Sequence, residues 1–201
     1  MNKIKLTGTV EVEPYFSYGV KEKFYRTSIS SKRTSGTCDI LPCIVSENFA
    51  DRFVKGARVS FSGEIRTRNY EENGRKRLDI YVFVKDVCET ENFDENDVEI
   101  NAFVVTNPNF RETPLGKTIT DLMLASNRFP DKSDYIPCIF WGRNASSSSY
   151  LSVGTRIAAY GRLQSREYRK RLEDGAFETR VALELSIGTY GVISATEGDE
   201  E

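Results

Sequence analysis

The chain has 201 residues, of which 39% are hydrophobic and 29% charged, which is typical of a globular protein with one large or two smaller domains. Its apolar runs are too short for a membrane span or a signal peptide, so we expect a cytoplasmic protein. Histidine is absent, and the four cysteines lack C-x-x-C spacing. We therefore expect reduced thiols, no metal or other cofactor, and no enzyme activity of the kind that depends on imidazole.

An internal repeat organises the chain. Residues 56–70 recur as 154–168 at a constant offset of 98, and Asp39–Ile44 matches Asp134–Ile139 at an offset of 95. Offsets that drift by a few residues between matching blocks indicate small loop insertions within a common fold. The sequence therefore predicts two copies of one domain.

The repeat also sets the predicted domain bounds. The first domain covers 1–90, an acidic linker without apolar periodicity covers 91–97, and the second domain covers 98–190. Residues 191–201 form a short acidic tail that we expect to be disordered. Both domain bodies are mildly basic, which favours an anionic partner only weakly.

In the first copy, a helix is predicted over 47–54, before the stop signal of Gly56. Val59, Phe61 and Ile65 then alternate with polar residues, as in a strand with one buried face. Gly63 interrupts this strand, which predicts a bulge or bend. An Asn-Gly pair at 73–74 predicts a hairpin turn before the last strand.

The second copy repeats these signals, with a helix predicted over 143–151, a glycine at Gly161, and an Asp-Gly turn at 174–175. About five strands with one helix after the third are typical of a small Greek-key barrel. The predicted fold class is therefore all-β, with two tandem OB-fold five-stranded Greek-key barrels that each carry one short helix.

Strand alternation suggests a ligand-binding face in the second copy. Tyr160, Arg162, Gln164, Arg166 and Tyr168 share one side of a predicted strand. Aromatic rings stack on unpaired bases and guanidinium groups contact phosphates, so this pattern favours a surface for single-stranded nucleic acid over a buried core face.

Several motifs of the second copy carry a family resemblance. They are Asn107-Pro108, Thr113-Pro114-Leu115-Gly116-Lys117, Tyr135–Ala145, and Gly161–Tyr168. As a set they resemble the bacterial single-stranded DNA-binding protein family. The resemblance implies an OB fold and sequence-independent binding of single strands in DNA replication, recombination and repair.

The resemblance also implies which residues bind DNA. The base-stacking aromatics fall on Tyr135, Trp141 and Tyr168, and the basic contacts on Arg111, Arg128, Arg143 and Arg166. The first copy keeps Tyr70, with Arg66 and Arg68, but has Ile40 and Ser46 where the second has Tyr135 and Trp141. We therefore expect weaker binding by the first barrel.

Other interpretations stay open at this point. The chain is also compatible with a primosomal or mobile-element accessory protein, and with an OB scaffold or an RNA-binding module, because stacking alone does not distinguish the two sugars. By analogy with the family, two chains would associate as a homodimer with four OB folds. The tail lacks the apolar tip with which family members recruit other proteins, so recruitment by that route is not expected.

Overall fold

The computed structural model describes residues 1–72, 74–128, 130–171 and 175–194. These residues form twelve β-strands, one short α-helix and one 3-10 turn. In chain order the elements are β1 (Asn2–Val10), β2 (Tyr15–Gly19), β3 (Lys23–Lys32), β4 (Cys38–Ser46), the 3-10 turn (Ala50–Arg52), β5 (Arg58–Glu72), β6 (Arg75–Val87), β7 (Glu95–Val104), β8 (Asn109–Glu112), β9 (Thr118–Arg128), β10 (Lys132–Trp141), α1 (Arg143–Ser148), β11 (Arg156–Arg171) and β12 (Phe177–Val192).

The chain divides into two compact units. The first unit comprises residues 3–97 and the described residues of 163–184, and the second comprises 1–2, 98–162 and the described residues from 185 onward. The outer part of the β11–β12 hairpin therefore groups with the first copy. The domain bounds that the repeat suggests stay a prediction, and β7 begins at Glu95, within the predicted linker.

The first unit contains a closed barrel. Strand β1 pairs with β3, β3 with β4, β6 with β5, and β5 again with β1, all antiparallel. A short parallel pairing of β4 with β6 closes the ring, and β2 adds an extra strand to the edge of β3. The inward faces form the core because apolar side chains alternate with polar ones along each strand. Fully buried members include Leu6, Ile29, Leu41, Phe61 and Val82.

The second barrel repeats this connectivity. Strand β7 pairs with β9 and β11, β9 with β10, and β10 with β12 in parallel, while β11 neighbours β12 and β8 extends the edge of β9. This is the Greek-key order of the OB fold. The predicted fold class is therefore confirmed.

The bulge predicted at Gly63 is confirmed, and both Gly63 and Gly161 lie where the backbone of a neighbouring strand approaches closely. A Cβ on Gly63 would lie 2.4 Å from the carbonyl oxygen of Phe83, and one on Gly161 would lie 2.1 Å from that of Ser186. The register of β5 against β6 also shifts between Ser62 and Gly63, as at a bulge. Only glycine fits at these positions without a shift of the neighbouring strand.

The predicted helices are shorter in the structure. In the first copy the segment 47–54 forms only the 3-10 turn Ala50–Arg52, and in the second copy α1 ends at Ser148 rather than at 151. Part of each connection forms the turn that leads into the next strand, at Gly56 before β5 and at Gly154 before β11. Asn73, Asp174 and residues 195–201 of the predicted tail lie outside the described residues.

Candidate nucleic-acid interface

Strand β10 places two predicted stacking residues on the outer face of the second barrel. Ile136, Cys138 and Phe140 point into the core and are buried, so Tyr135 and Trp141 point outward. Trp141 is 38% exposed, and its indole N–H donates a hydrogen bond to Oγ of Ser186 at 3.2 Å. The ring is thus held in place from one edge while part of it stays open to solvent.

The first part of β11 contributes Tyr160 and Arg162 to the same unit. The Tyr160 ring is half exposed, and its hydroxyl donates to the carboxylate of Glu99 at 3.1 Å. This hydrogen bond raises the pKa of Tyr160 above its ordinary value because it stabilises the protonated phenol. Arg162 is only half exposed, and its Nε is buried without a hydrogen-bond partner among the described residues.

The predicted basic residues of the second barrel differ in how far ion pairs within the protein occupy their guanidinium groups. Nε of Arg111 lies 2.6 Å from the carboxylate of Asp121 at the surface. The guanidinium of Arg128 lies 3.0 Å from Asp134, whose side chain is 1% exposed. Arg143 is exposed at the first residue of α1. Because a buried carboxylate needs its cation, Arg128 is held by the barrel, whereas Arg143 is accessible to a phosphate.

The outer part of β11, in the first unit, does not continue a single polar stripe. Gln164 is 5% exposed and donates to Glu184 at 2.7 Å. Arg166 and Tyr168 are exposed beyond it, with the guanidinium 3.6 Å from Glu184 and 5.8 Å from the centre of the Tyr168 ring. Tyr168 and Arg166 thus form a solvent-accessible aromatic–cation pair.

The three residues predicted to bind DNA in the first barrel, which are Tyr70, Arg68 and Arg66, differ in their exposure to solvent. Tyr70 is exposed near the end of β5. Arg68 is largely exposed and lies 3.3 Å from the carboxylate of Asp79. Arg66 is mostly buried, because it pairs with Glu64 at 2.9 Å and packs against an aromatic ring of β6.

The ring that packs against Arg66 is Phe83, and it belongs to a group of aromatic residues that matching the two copies did not predict. Tyr18, Phe24 and Phe83 lie side by side on β2, β3 and β6 of the first barrel. The sequence signal was the dense aromatic content of 15–25, where four of the residues are Tyr or Phe besides Phe24. Matching the first copy to the stacking positions of the second did not find them, because none occupies an equivalent position.

The patterns of a membrane-spanning helix, a metal site and a reactive cysteine also bear on what the described residues can do. No helix in the described part of the chain has the length and apolarity needed to cross a bilayer. Among residues 1–72, 74–128, 130–171 and 175–194, no group of three or more Cys, Asp or Glu side chains is arranged to hold a metal ion. Burial raises the pKa of the Cys43 thiol, as expected of a core cysteine.

The chain has clear relatives. Residues 95–190 match the Single-strand binding protein family. Single-stranded DNA-binding protein A of Bacillus subtilis (strain 168) is 32% identical over 44% of this chain and 56% of its own length. Single-stranded DNA-binding protein 1 of Staphylococcus aureus (strain COL) is 33% identical over 43% of this chain and 56% of its own length. The matches thus span little more than half of these curated relatives.

Solved structures extend the likeness of fold to the whole chain. The wild-type single-stranded DNA binding protein from Thermus aquaticus superposes with a TM-score of 0.75, covering 98% of this chain and 94% of that one at 20% identity. A deletion mutant of the same protein superposes with a TM-score of 0.73, covering 100% of this chain and 98% of that one at 21% identity. The tandem arrangement of two barrels is therefore a known fold, and its second copy carries the sequence match. The sequence match to the Single-strand binding protein family is thus confined to residues 95–190, whereas the likeness of fold covers both barrels.

Proposed function

We propose that the chain binds single-stranded DNA without sequence preference and protects it during replication, recombination and repair. The observation that carries this proposal is the pair of exposed aromatic rings, Tyr135 and Trp141, on the outer face of β10. Both lie within the segment that matches the family. Binding, without catalysis, is the whole of the proposed activity.

The chemistry of this face suits unpaired bases. A base stacked on an aromatic ring contributes about 1–3 kcal/mol and requires no particular base identity. Arg143, in the same unit, provides an exposed cation for the phosphates that connect stacked bases. Because the whole chain carries a net charge of −2, long-range attraction to DNA is weak, and stacking must supply most of the affinity.

Trp141 offers a direct test because it is the only tryptophan of the chain. A stacked base should quench its emission, so titration with oligo-dT should lower the fluorescence to a plateau. A Tyr150→Ala variant serves as the control, since this ring is also exposed but lies after α1. Its titration curve should match that of the wild type. Unchanged emission at saturating oligo-dT would show that Trp141 is not a stacking residue.

A competition experiment identifies which nucleic acid the chain binds. Oligo-dT should displace a labelled oligo-dT, whereas duplex DNA should not, because the bases of a duplex are already stacked. Equal competition by oligo-U would show that the chain does not distinguish the two sugars, since aromatic stacking tolerates either, and stronger competition by oligo-U would favour an RNA-binding module.

The assembly follows from the same family analogy. We propose that two chains form a homodimer with four OB folds in the cytoplasm. Light scattering should then give a mass near twice the 22.8 kDa of one chain. A monomer at micromolar concentration would refute this part of the proposal and leave the binding site unaffected.

A further inference from the structure

A row of aromatic rings crosses the outer face of the first barrel. The ring of Tyr18 stacks on that of Phe24 with centres 4.9 Å apart and planes 25° from parallel. Phe24 lies 5.5 Å from Phe83, and the guanidinium carbon of Arg66 lies 3.5 Å from the centre of the Phe83 ring. These four residues lie on β2, β3, β6 and β5, and we call them the Tyr18–Arg66 row.

Strand register shows that the row occupies the face on which the second barrel carries its stacking rings. Phe24 is directly opposite Ser46, and Phe83 is directly opposite Ile44, so the two rings lie on one side of the sheet and cover the buried Ser46 and Ile44 from outside. Ser46 is the position that the repeat matches to Trp141. The row therefore lies beside the place where the first copy lacks a tryptophan.

The two glycine bends reveal how the copies differ. Gly63 approaches the backbone of Phe83 as Gly161 approaches that of Ser186, which makes Phe83 and Ser186 equivalent in space. In the second barrel the large ring is Trp141, and the small Ser186 beside it accepts the indole hydrogen bond. In the first barrel the tryptophan position is small and its neighbour on β6 is aromatic. An aromatic surface is thus present on both barrels but is built from different strands.

The charge around the row is positive. Arg68 and Lys85 have side chains that are more than half exposed. These two cations and two more form ion pairs with two carboxylates beside the row, which adds Arg26, Arg66, Glu64 and Asp79. Four cations against two carboxylates leave about two positive charges beside the rings, which favours an anionic ligand over an apolar peptide.

We propose that the Tyr18–Arg66 row is a second stacking surface, on which the first barrel binds unpaired bases of the same single strand. This inference rests on the proposed function of the chain. The outward side of Tyr18, which is 39% exposed, receives a base because aromatic rings stack on unpaired bases, while Arg66 supports the row by packing on the Phe83 ring. Arg68 and Lys85 contact the connecting phosphates.

Oligonucleotides of two lengths distinguish binding by one barrel from binding by both. One OB fold covers about 4–16 nucleotides, so oligo-dT of about 10 nucleotides fits on one barrel, whereas about 35 nucleotides exceeds two. Binding of the short oligonucleotide is followed by Trp141 quenching, which reports the second barrel. Binding of the long one is followed by fluorescence anisotropy of a labelled end, which reports the whole chain.

Tyr18→Ala and Phe24→Leu are the test variants, and Phe16→Ala is the matched control. Phe16 lies on the same strand as Tyr18 and is 57% exposed, but it is opposite Tyr25 in the register and so points to the other side. We expect each test variant to weaken binding of the long oligonucleotide about 5-fold or more, as loss of one stacked base implies. The short oligonucleotide should quench Trp141 as in the wild type.

Equal affinity of all three variants and the wild type for the long oligonucleotide would overturn this inference. If the wild-type chain bound neither length, the proposed function itself would fail, so the two failures are distinguishable. Thermal melting of each variant shows whether it is folded.

Photocrosslinking gives evidence that does not depend on variants. Long oligo-dT containing 5-iodouracil, irradiated on the wild-type chain, should crosslink to tryptic peptides Leu6–Lys21, Phe24–Arg26 and Leu78–Lys85, which contain the three rings of the row. Crosslinks confined to peptides of the second copy would overturn the inference and leave this face open to a protein partner.

Discussion

The carboxylate of Asp39 accepts a hydrogen bond from the backbone N–H of Ser165 at 2.7 Å, although 126 residues separate them. Both residues belong to the first unit. Asp39 also binds the guanidinium of Arg33, with Nε at 2.7 Å, and this hydrogen bond raises the pKa of Arg33. The hydroxyl of Ser165 accepts the N–H of Ile40 at 3.0 Å. One carboxylate at the start of β4 therefore joins Arg33 to the β11–β12 hairpin.

Replacing this carboxylate should destabilise the protein strongly. The Asp39 side chain is 1% exposed, so Asp39→Asn leaves the buried side of Arg33 without its counter-charge, a change that costs about 3–5 kcal/mol in buried pairs. Asp121→Asn is the control, because its pair with Arg111 is at the surface and such pairs contribute about 0–1 kcal/mol. Urea unfolding followed by circular dichroism measures both. Similar midpoints for the two variants would contradict the prediction.

The pair of Arg26 with Asp79 predicts a pH dependence of stability. Burial raises the pKa of Asp79, but the hydrogen bonds and charge of Arg26, aided by Arg68, outweigh it, so the pKa lies below its ordinary value. A carboxyl group whose pKa is lower in the folded state stabilises the fold above its unfolded pKa of about 3.9, and this contribution disappears as the pH falls through the lower folded pKa.

The test compares the wild type with Asp79→Asn across pH. At pH 7 the variant should be less stable by about 1–3 kcal/mol, the range for hydrogen bonds to charged groups. That difference should stay constant down to about pH 5 and shrink below about pH 4. Thermal melts at each pH measure it. A difference that grew on acidification would show that Asp79 does not ionise as the structure implies.

The glycine bends predict an asymmetric response to alanine. Gly161→Ala places a methyl group 2.1 Å from the carbonyl oxygen of Ser186, and the forced shift of a packed strand costs about 1–3 kcal/mol. Gly191→Ala, in the same unit, meets no atom within 4 Å and should change stability by less than about 0.5 kcal/mol. Melting temperatures measure both, and equal losses would refute the close-approach argument.

Local patterns predicted the fold well but the binding surfaces only in part. The repeat and the alternating strands led to two Greek-key barrels because a strand with one buried face has a period of two. The same counting placed Gln164 on an exposed face, but its side chain is buried against Glu184. Leu163 is buried as Ile157 and Ala159 are, so the alternation continues through Gly161, and a tertiary partner rather than a change of strand phase buries Gln164.

Tertiary partners explain the remaining differences. Arg128 looks like a free phosphate contact in sequence, but a buried carboxylate six residues away along the chain binds it. Phe24 and Phe83 are 59 positions apart, and only the pairing of β4 with both β3 and β6 brings them together on one face. A ring that moves to a neighbouring strand cannot be found by matching positions between the copies.

The last prediction separates stacking from charge in the second barrel. Each phosphate contact contributes about −0.7 to the slope of log K against log salt on single strands, whereas a stacked base contributes affinity without releasing ions. Trp141→Ala should therefore weaken oligo-dT binding by about 1–3 kcal/mol with an unchanged slope. Arg143→Gln, which removes an exposed cation, should make the slope less steep by about 0.7. Anisotropy titrations at several salt concentrations measure both quantities. If Trp141→Ala changed the slope as much as Arg143→Gln does, the tryptophan would be positioning a cation rather than stacking on a base.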